Sequence, residues 1–297
     1  MKLALFDDWR LGAVDASAGT IVDISPEPPE WDHFDDASAS GAWRRLCRDF
    51  EKRRPALEEA AASGTPMPLD GVRLRPPVLN PSKVLATASN YASHVEEMRD
   101  SVLERVSGHV ENWLLDFDVF LKAPSSVVGP VDAVVLPAQP VREAKEIHHE
   151  SELAVVIGRG GSSIAEADAV DHILGYTIGL DMTVRGHGDR SRRKSYDTFT
   201  PLGPWIVTRD EVDDLPHLDV RLVVDGVVRQ EANTADLLVG VAGIIAYASS
   251  IMRLEPGDVI LTGAPPGVGE VHAGEAMTAS IEGIGSMTIP VIGPQET

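Results

Sequence analysis

The sequence predicts an α+β fold in which a small α/β N-terminal domain, residues 1–75, precedes a larger β-rich domain over 76–297. Three observations carry that expectation. Short β-type runs dominate from Val84 onward, only two helical stretches interrupt them, and five prolines crowd the segment from Gly64 to Lys83. The spacing of the runs is too irregular for an up-and-down barrel and lacks the strand–helix alternation of a doubly wound sheet.

Taken in order, residues 1–26 read as three short strands: KLALFD, RLGAVD and GTIVDIS. A helix is expected over roughly 38–63, with Pro55 breaking it or starting a second one. The proline-rich stretch that follows marks the domain boundary. Beyond it, VLATAS, VVLP, LAVVIG, GYTIGLD, PWIVT, VRLVVDG, DVILTG, MTASIEG and SMTIPV read as strands. AEADAVDHIL and ANTADLLVGVAGIIAYASSIM read as helices. Ser93–Asp116 reads as a helix with a polar break near Ser107 and Gly108, and is expected to act as a mobile lid.

Composition excludes several classes of function. The chain of 297 residues carries a net charge of −20, and such a surface repels phosphate backbones, so no nucleic-acid partner is expected. No window approaches the roughly 18 apolar residues of a membrane span. The N-terminus lacks an apolar signal core, which places the expected location in the cytoplasm. The single cysteine, Cys47, excludes intramolecular disulfides and cysteine-rich zinc sites. It lies among arginines on the first helix and reads as a packed residue rather than a nucleophile.

The most informative stretch is Glu146-Ile-His-His-Glu-Ser-Glu-Leu-Ala-Val-Val-Ile-Gly158. Strand alternation puts His148, Glu150, Glu152 and Ala154 on one face and Leu153, Val155 and Ile157 on the other. Two carboxylates side by side repel unless exposed, protonated or neutralised. A hard divalent cation neutralises both, and oxygen ligands suit Mg²⁺ or Mn²⁺ better than zinc. Asp181, at the end of GYTIGLD, offers a third carboxylate beside small residues. Solvent-facing acids on an edge strand are the alternative. A dinucleotide-binding outline is also present in LAVVIG-RGGSS-IAEADAV-GYTIGLD, but Ser163 replaces its third glycine, and two glutamates open the strand.

Set in order, the blocks PSKVLATASNYASHVEEM, FLKAPSSVVGP, IHHESELAVVIG, GYTIGLDMTVR, KSYDTFTPLGPWIV and LEPGDVILTGAPPGVG, with IEGIGSMTIPV near the end, resemble the fumarylacetoacetate hydrolase family. The resemblance runs from about Pro81 to Pro294 and points to the branch of 2-hydroxyhepta-2,4-diene-1,7-dioate isomerases and acylpyruvate hydrolases. It implies a catalytic domain on a mixed, rolled β-sheet, usually in a homodimer. It implies that Glu150, Glu152 and Asp181 coordinate one Mg²⁺ or Mn²⁺ per subunit. By position, His94 and Glu97 match the family's acid/base dyad, one helical turn apart. Lys194 is expected near the reacting oxygen or carboxylate of the substrate. Arg185, Lys122, Gly263 and Ala264 are expected to contact the substrate. Arg190, Arg192 and Arg193 read as an exposed loop run. Two departures bear on substrate choice: Ala264 stands where threonine is common, and Gly186 where aspartate is common.

The resemblance further implies chemistry on a small anionic 2-oxo or 2,4-dioxo acid through a metal-stabilised enolate. Hydrolysis of a C–C bond and isomerisation of a hydroxy-diene diacid, both in aromatic-compound breakdown, are the favoured outcomes. Decarboxylation of oxaloacetate is an alternative. A metal-binding homologue without catalysis is the alternative from outside the enzymes.

Overall fold

The computed structural model describes residues 1–26, 40–97, 116–213 and 215–295. The N-terminal part contains strands β1 (Lys2–Phe6), β2 (Arg10–Asp15) and β3 (Thr20–Asp23), helix α1 (Ser40–Ser63), and the short β4 (Met67–Pro68). Then follow β5 (Val84–Ala88), α2 (Ala92–Glu97), β6 (Asp118–Lys122), β7 (Val127–Val128), β8 (Val134–Val135) and α3 (Ala138–Arg142). The central strands are β9 (Ile147–His149), β10 (Ser151–Ile157), β11 (Ile173–Leu180) and β12 (Thr183–Val184). The chain continues through α4 (Arg190–Lys194), β13 (Thr200–Thr208), β14 (Asp219–Val224), β15 (Val227–Asn233) and α5 (Val241–Ile251). It ends with β16 (Val259–Leu261), β17 (Gly269–Glu270), β18 (Ala276–Ile281) and β19 (Gly285–Ile292).

The resulting α+β architecture is dominated by sheet. An 11-stranded sheet runs in the order β4-β3-β2-β1-β13-β11-β10-β16-β5-β6, with β7 joined to β13. It is mixed, because β16 pairs with β5 and β7 with β13 in parallel, among antiparallel neighbours. A 5-stranded sheet, β15-β14-β18-β19-β8, lies across it, with β14 against β10, β18 against β11 and β19 against β13. Alternation decides what lies between these layers. Leu153, Val155 and Ile157 enter the core that includes Val220, Leu222 and Met277. Ala154 and Val156 enter the opposite core with Trp43, Leu46, Phe50 and Leu261. Residues 1–26 thus extend the central sheet, since β1 pairs antiparallel with β13 through Lys2↔Val207 and Leu3↔Ile206.

Several local expectations change. Helix α1 is continuous through Pro55. The carbonyl that Pro55 leaves without its helical donor belongs to Glu51; both residues are exposed, where solvent can replace the lost donor. Trp43, Leu46, Cys47, Phe50 and Leu57 bury the other face at helical spacing. Burial also drives the Cys47 thiol pKa far up, consistent with a packed residue.

The helix expected at AEADAVDHIL is a short 3₁₀ segment, Glu166–His172. Of the longer stretch near 232–252, only α5 is α-helical. Asn90 takes the intervening backbone away: its carbonyl and its side-chain oxygen accept from the N–H groups of Leu238 and Val239. β10 and β11 are antiparallel neighbours, which excludes the parallel strand–helix–strand unit of a dinucleotide site. The lid expected over Ser93–Asp116 lies, for residues 98–115, outside the described residues.

Two crossings position the site. The chain leaves the 3-stranded sheet β12-β9-β17 and enters the large sheet between β9 and β10, with Glu150 at the join. It makes the reverse crossing between β11 and β12, just after Leu180. The two corners are tied by the Asp181 N–H donating to the Glu150 carbonyl at 2.8 Å. Gly175 lies on this central pair, where a Cβ would stand 2.2 Å from the Val207 carbonyl oxygen. Gly175→Ala should cost about 1–3 kcal/mol or more in chemical denaturation, since backbone must move. Gly240→Ala, in open space at an ordinary φ, should cost no more than about 1 kcal/mol, the loss of a favoured N-cap of α5.

Candidate metal centre and its acid/base dyad

The corners bring three carboxylates together. Glu150, Glu152 and Asp181 are 4%, 1% and 0% exposed, and their ligand oxygens lie within 4.8 Å of one another. Glu152 projects from β10 on the Ala154 side and stands opposite Gly179 of β11 in the ladder. The space beside Gly179 is taken by Leu261, whose Cδ2 would lie 2.3 Å from an added Cβ. Gly179 therefore admits the leucine of β16, the strand on the far side of β10, rather than an ion.

Cations from three other segments meet this cluster. Lys194, at the end of α4, donates Nζ to Glu150 Oε2 at 2.6 Å and also to Asp181 Oδ2. Lys122, at the end of β6, donates to Asp181 Oδ1 and to the Phe199 carbonyl at 3.0 Å, with its side chain wholly enclosed. Arg185 donates Nη2 to Glu150 Oε1 at 2.7 Å. The carboxylates respond unequally. Burial works against charge on Glu150, yet Lys194, Arg185 and His94 outweigh it and hold its carboxyl well below the usual range. Burial, then Asp181 and Glu150, push Glu152 well above it. Burial lowers the Lys122 pKa despite Asp181 beside it.

Glu152 has no ion-pair partner among the described residues; it accepts only the Gly263 N–H, at 2.5 Å. Gly263 holds a φ of +115°, and a Cβ there would lie 2.8 Å from the Asn90 Cβ and 3.0 Å from Thr87 Oγ1. A buried carboxylate short of positive charge, facing two others, is a donor set that a hard divalent cation fits. Buried Arg185 Nε has no hydrogen-bond partner among the described residues and, as an N–H, suits an anion bound there rather than the cation itself.

The dyad lies on α2. His94 Nδ1 is 3.1 Å from Glu97 Oε2, and Gly267 N–H donates to both oxygens of Glu97 at 3.0 and 3.1 Å. His94 is near enough to Glu150 to help keep it ionised. Ala264 is buried in the loop between these two contacts. The arginine run is a helix turn, capped by Asp189, whose side chain accepts from Ser191 and Arg192. Arg192 is exposed, whereas Arg190 and Arg193 are half-buried.

Two residues escaped the sequence reading. Asn90 ties the Thr262 and Val239 carbonyls at 2.8 and 2.9 Å and so sets the loop that carries Gly263. Gln230, buried on β15, accepts from the Ser151 N–H at 2.9 Å and donates to the Pro265 carbonyl at 2.8 Å, which fixes β10 to that loop. Asn90 stood within a motif block; Gln230 offered no local signal.

The family profile described as "Fumarylacetoacetate (FAA) hydrolase C-terminal" matches residues 83–292. The maleylpyruvate hydrolase of Aquipseudomonas alcaligenes is 39% identical over 295 residues, covering 98% of this chain and 99% of its own. The crystal structure of maleylpyruvate hydrolase from Sphingobium sp. SYK-6, in complex with manganese(II) and pyruvate, superposes with a TM-score of 0.83 at 40% identity, over 99% of this chain and 100% of that one. A 2-hydroxyhepta-2,4-diene-1,7-dioate isomerase from Mycobacterium marinum superposes with a TM-score of 0.73 at 31% identity, over the whole of both chains. With that profile matched over more than two thirds of its length and a relative 39% identical along nearly all of it, the chain belongs to the fumarylacetoacetate hydrolase family.

Proposed function

We propose that the protein is a Mg²⁺- or Mn²⁺-dependent hydrolase that cleaves a C–C bond of an acylpyruvate of the maleylpyruvate type, in the breakdown of aromatic compounds. The observation that carries this reading is the buried convergence of Glu150, Glu152 and Asp181, with His94 and Glu97 beside it. Likeness along the full chain to two maleylpyruvate hydrolases, one of them in complex with manganese and pyruvate, supports it.

Glu150, Glu152 and Asp181 would hold the metal. A bound divalent cation would supply the positive charge that polarises a 2-oxo acid and balances the charge developing on its pyruvate fragment. The remaining work falls to side chains. Gly267 N–H fixes Glu97, and Glu97 accepts from His94 Nδ1 in the tautomer that protonates that nitrogen. This leaves His94 Nε2 to take a proton from the attacking water. Lys194 Nζ donates to the substrate oxygen that becomes negative. Arg185 and Lys122 act through Glu150 and Asp181, the carboxylates they hold. Gly263 fixes Glu152 through its backbone, and Ala264 lines the substrate side of the same loop.

Isomerisation is the second reading, favoured by the isomerase from Mycobacterium marinum. It would use the same donors, with His94 moving a proton between carbons of the substrate instead of activating water. Purified protein supplied with Mn²⁺ and an acylpyruvate should release pyruvate, measured by coupled NADH oxidation. Release of CO₂ from oxaloacetate alone, or loss of diene absorbance alone, would overturn the hydrolase reading.

The proposal includes a cytoplasmic homodimer, and a functional division between residues 1–75 and 76–297. No helix among the described residues is long and apolar enough to cross a membrane. Light scattering should give twice the chain mass of 31.8 kDa. Glu150→Gln removes a ligand and should weaken Mn²⁺ binding by at least the roughly 10- to 100-fold that loss of an outer-shell partner costs, in titration calorimetry, with loss of turnover. His94→Ala should lower kcat on the order of 10²- to 10⁴-fold while the Mn²⁺ affinity stays within about threefold. An H94A enzyme with undiminished kcat would remove the dyad from the mechanism.

A further inference from the structure

Helix α4 carries a cation that the proposed chemistry does not use. We propose that Arg193 forms a second anion subsite, which takes the carboxylate at the far end of a dianionic 2-oxo acid; this deepens, and rests on, the reading that the acidic cluster receives the substrate's near end. Arg193 Nε donates to the Gly188 carbonyl at 3.0 Å and Nη1 to the Val184 carbonyl at 3.2 Å. Two backbone acceptors thus hold the guanidinium in place, beside Lys194 in sequence and against the residue preceding Arg185. Its Nη2 hydrogen-bonds no described residue, and no described carboxylate lies within ion-pair distance of it.

Like charge stands close to that guanidinium. Arg193 is half-buried; burial, and then Arg185 and Arg190, work against its charge. Glu150 and Asp181 are near enough to favour that charge, but each is engaged by other cations. Charge counting separates Arg193 from its neighbours. With a divalent cation bound and Glu152 thereby ionised, the three carboxylates would carry three negative charges, and Lys122, Lys194 and Arg185, each in direct contact with Glu150 or Asp181, carry three positive ones. That inner set balances by itself. A divalent cation would add two charges, which the near carboxylate of a 2-oxo acid and the charge developing on its keto oxygen would cancel. Arg193 is then surplus, and a second carboxylate is the group that balances it. A chain of net charge −20 repels a dianion at long range, so a local cation of this kind is needed to hold one.

The test uses a matched pair of ligands that cannot undergo acylpyruvate cleavage. 2-Oxoheptanedioate and 2-oxoheptanoate have the same chain length and differ by one terminal carboxylate. Calorimetry on the Mn²⁺-loaded protein should show the dianion binding on the order of 10- to 100-fold tighter than the monoanion. Arg193→Gln keeps amide donors for the two carbonyls and removes the charge; it should bring that ratio to within about threefold. Arg192→Gln, which removes an exposed charge from the same helix, should keep the preference and so separates a local contact from the general field. Thermal melts and Mn²⁺ titrations of each variant verify the fold.

A wild-type protein without preference, an R193Q protein with the preference intact, or equal loss on both ligands would overturn the subsite. So would R192Q abolishing the preference as fully as R193Q. Pyruvate release is assayed separately, so its absence would sink the hydrolase reading while the ligand ratio still decides Arg193. Failure of the wild-type protein to bind either ligand would overturn both.

Discussion

The structure is organised around the cost of burying three carboxylates together. Each would lose its hydration in the interior, and each repels the other two. Glu150 and Asp181 escape that penalty through direct contact with Lys194, Lys122 and Arg185. Glu152 does not, and its pKa shows the strain. The site is therefore complete in hydrogen bonds to the protein at two corners and short of positive charge at the third. The imbalance is local to Glu152, the one carboxylate of the three that no described cation contacts, and that is the corner a divalent cation would neutralise.

The sheet architecture makes the convergence possible. Consecutive residues of one strand point to opposite faces, so a flat ladder separates neighbouring side chains. Here the chain passes from one sheet to another at Glu150 and returns beyond Leu180, and the Asp181 N–H joins the two corners. Acids from different strands then face one space without breaking the ladder that supports them. The cations come from helix α4, from strand β6 packed against it, and from Arg185 just after β12. Opposite them, the loop from Gly263 to Gly267 contributes backbone N–H groups alone, one to Glu152 and one to Glu97.

Much of this was legible from local pattern. Alternation placed Glu150 and Glu152 on one face, and the spacing of His94 and Glu97 anticipated their contact at 3.1 Å. Lys194, expected near the substrate's reacting oxygen or carboxylate, contacts Glu150 and Asp181. Contacts between distant segments were not legible. Lys122 and Asp181 are 59 residues apart, and Gln230 and Ser151 are 79 apart. No periodicity within either segment registers such a pairing. The helices overestimated in length near 232–252 fail for the same reason, because Asn90, far away in sequence, captures their backbone. Pro55 misled in the other direction: a proline interrupts one carbonyl, and at an exposed position solvent can replace the lost donor.

Gly267 limits how this site can diversify. Its φ of +90° and the Arg229 carbonyl oxygen, 1.9 Å from where a Cβ would stand, leave no room for any side chain. The wall that steadies Glu97 is consequently closed to adaptation by single substitutions. The helix turn of residues 190–194 has no such restriction, since half of it borders solvent. Among the described residues, the exposed Arg192 of that turn is therefore freer to change in size and charge than Gly267.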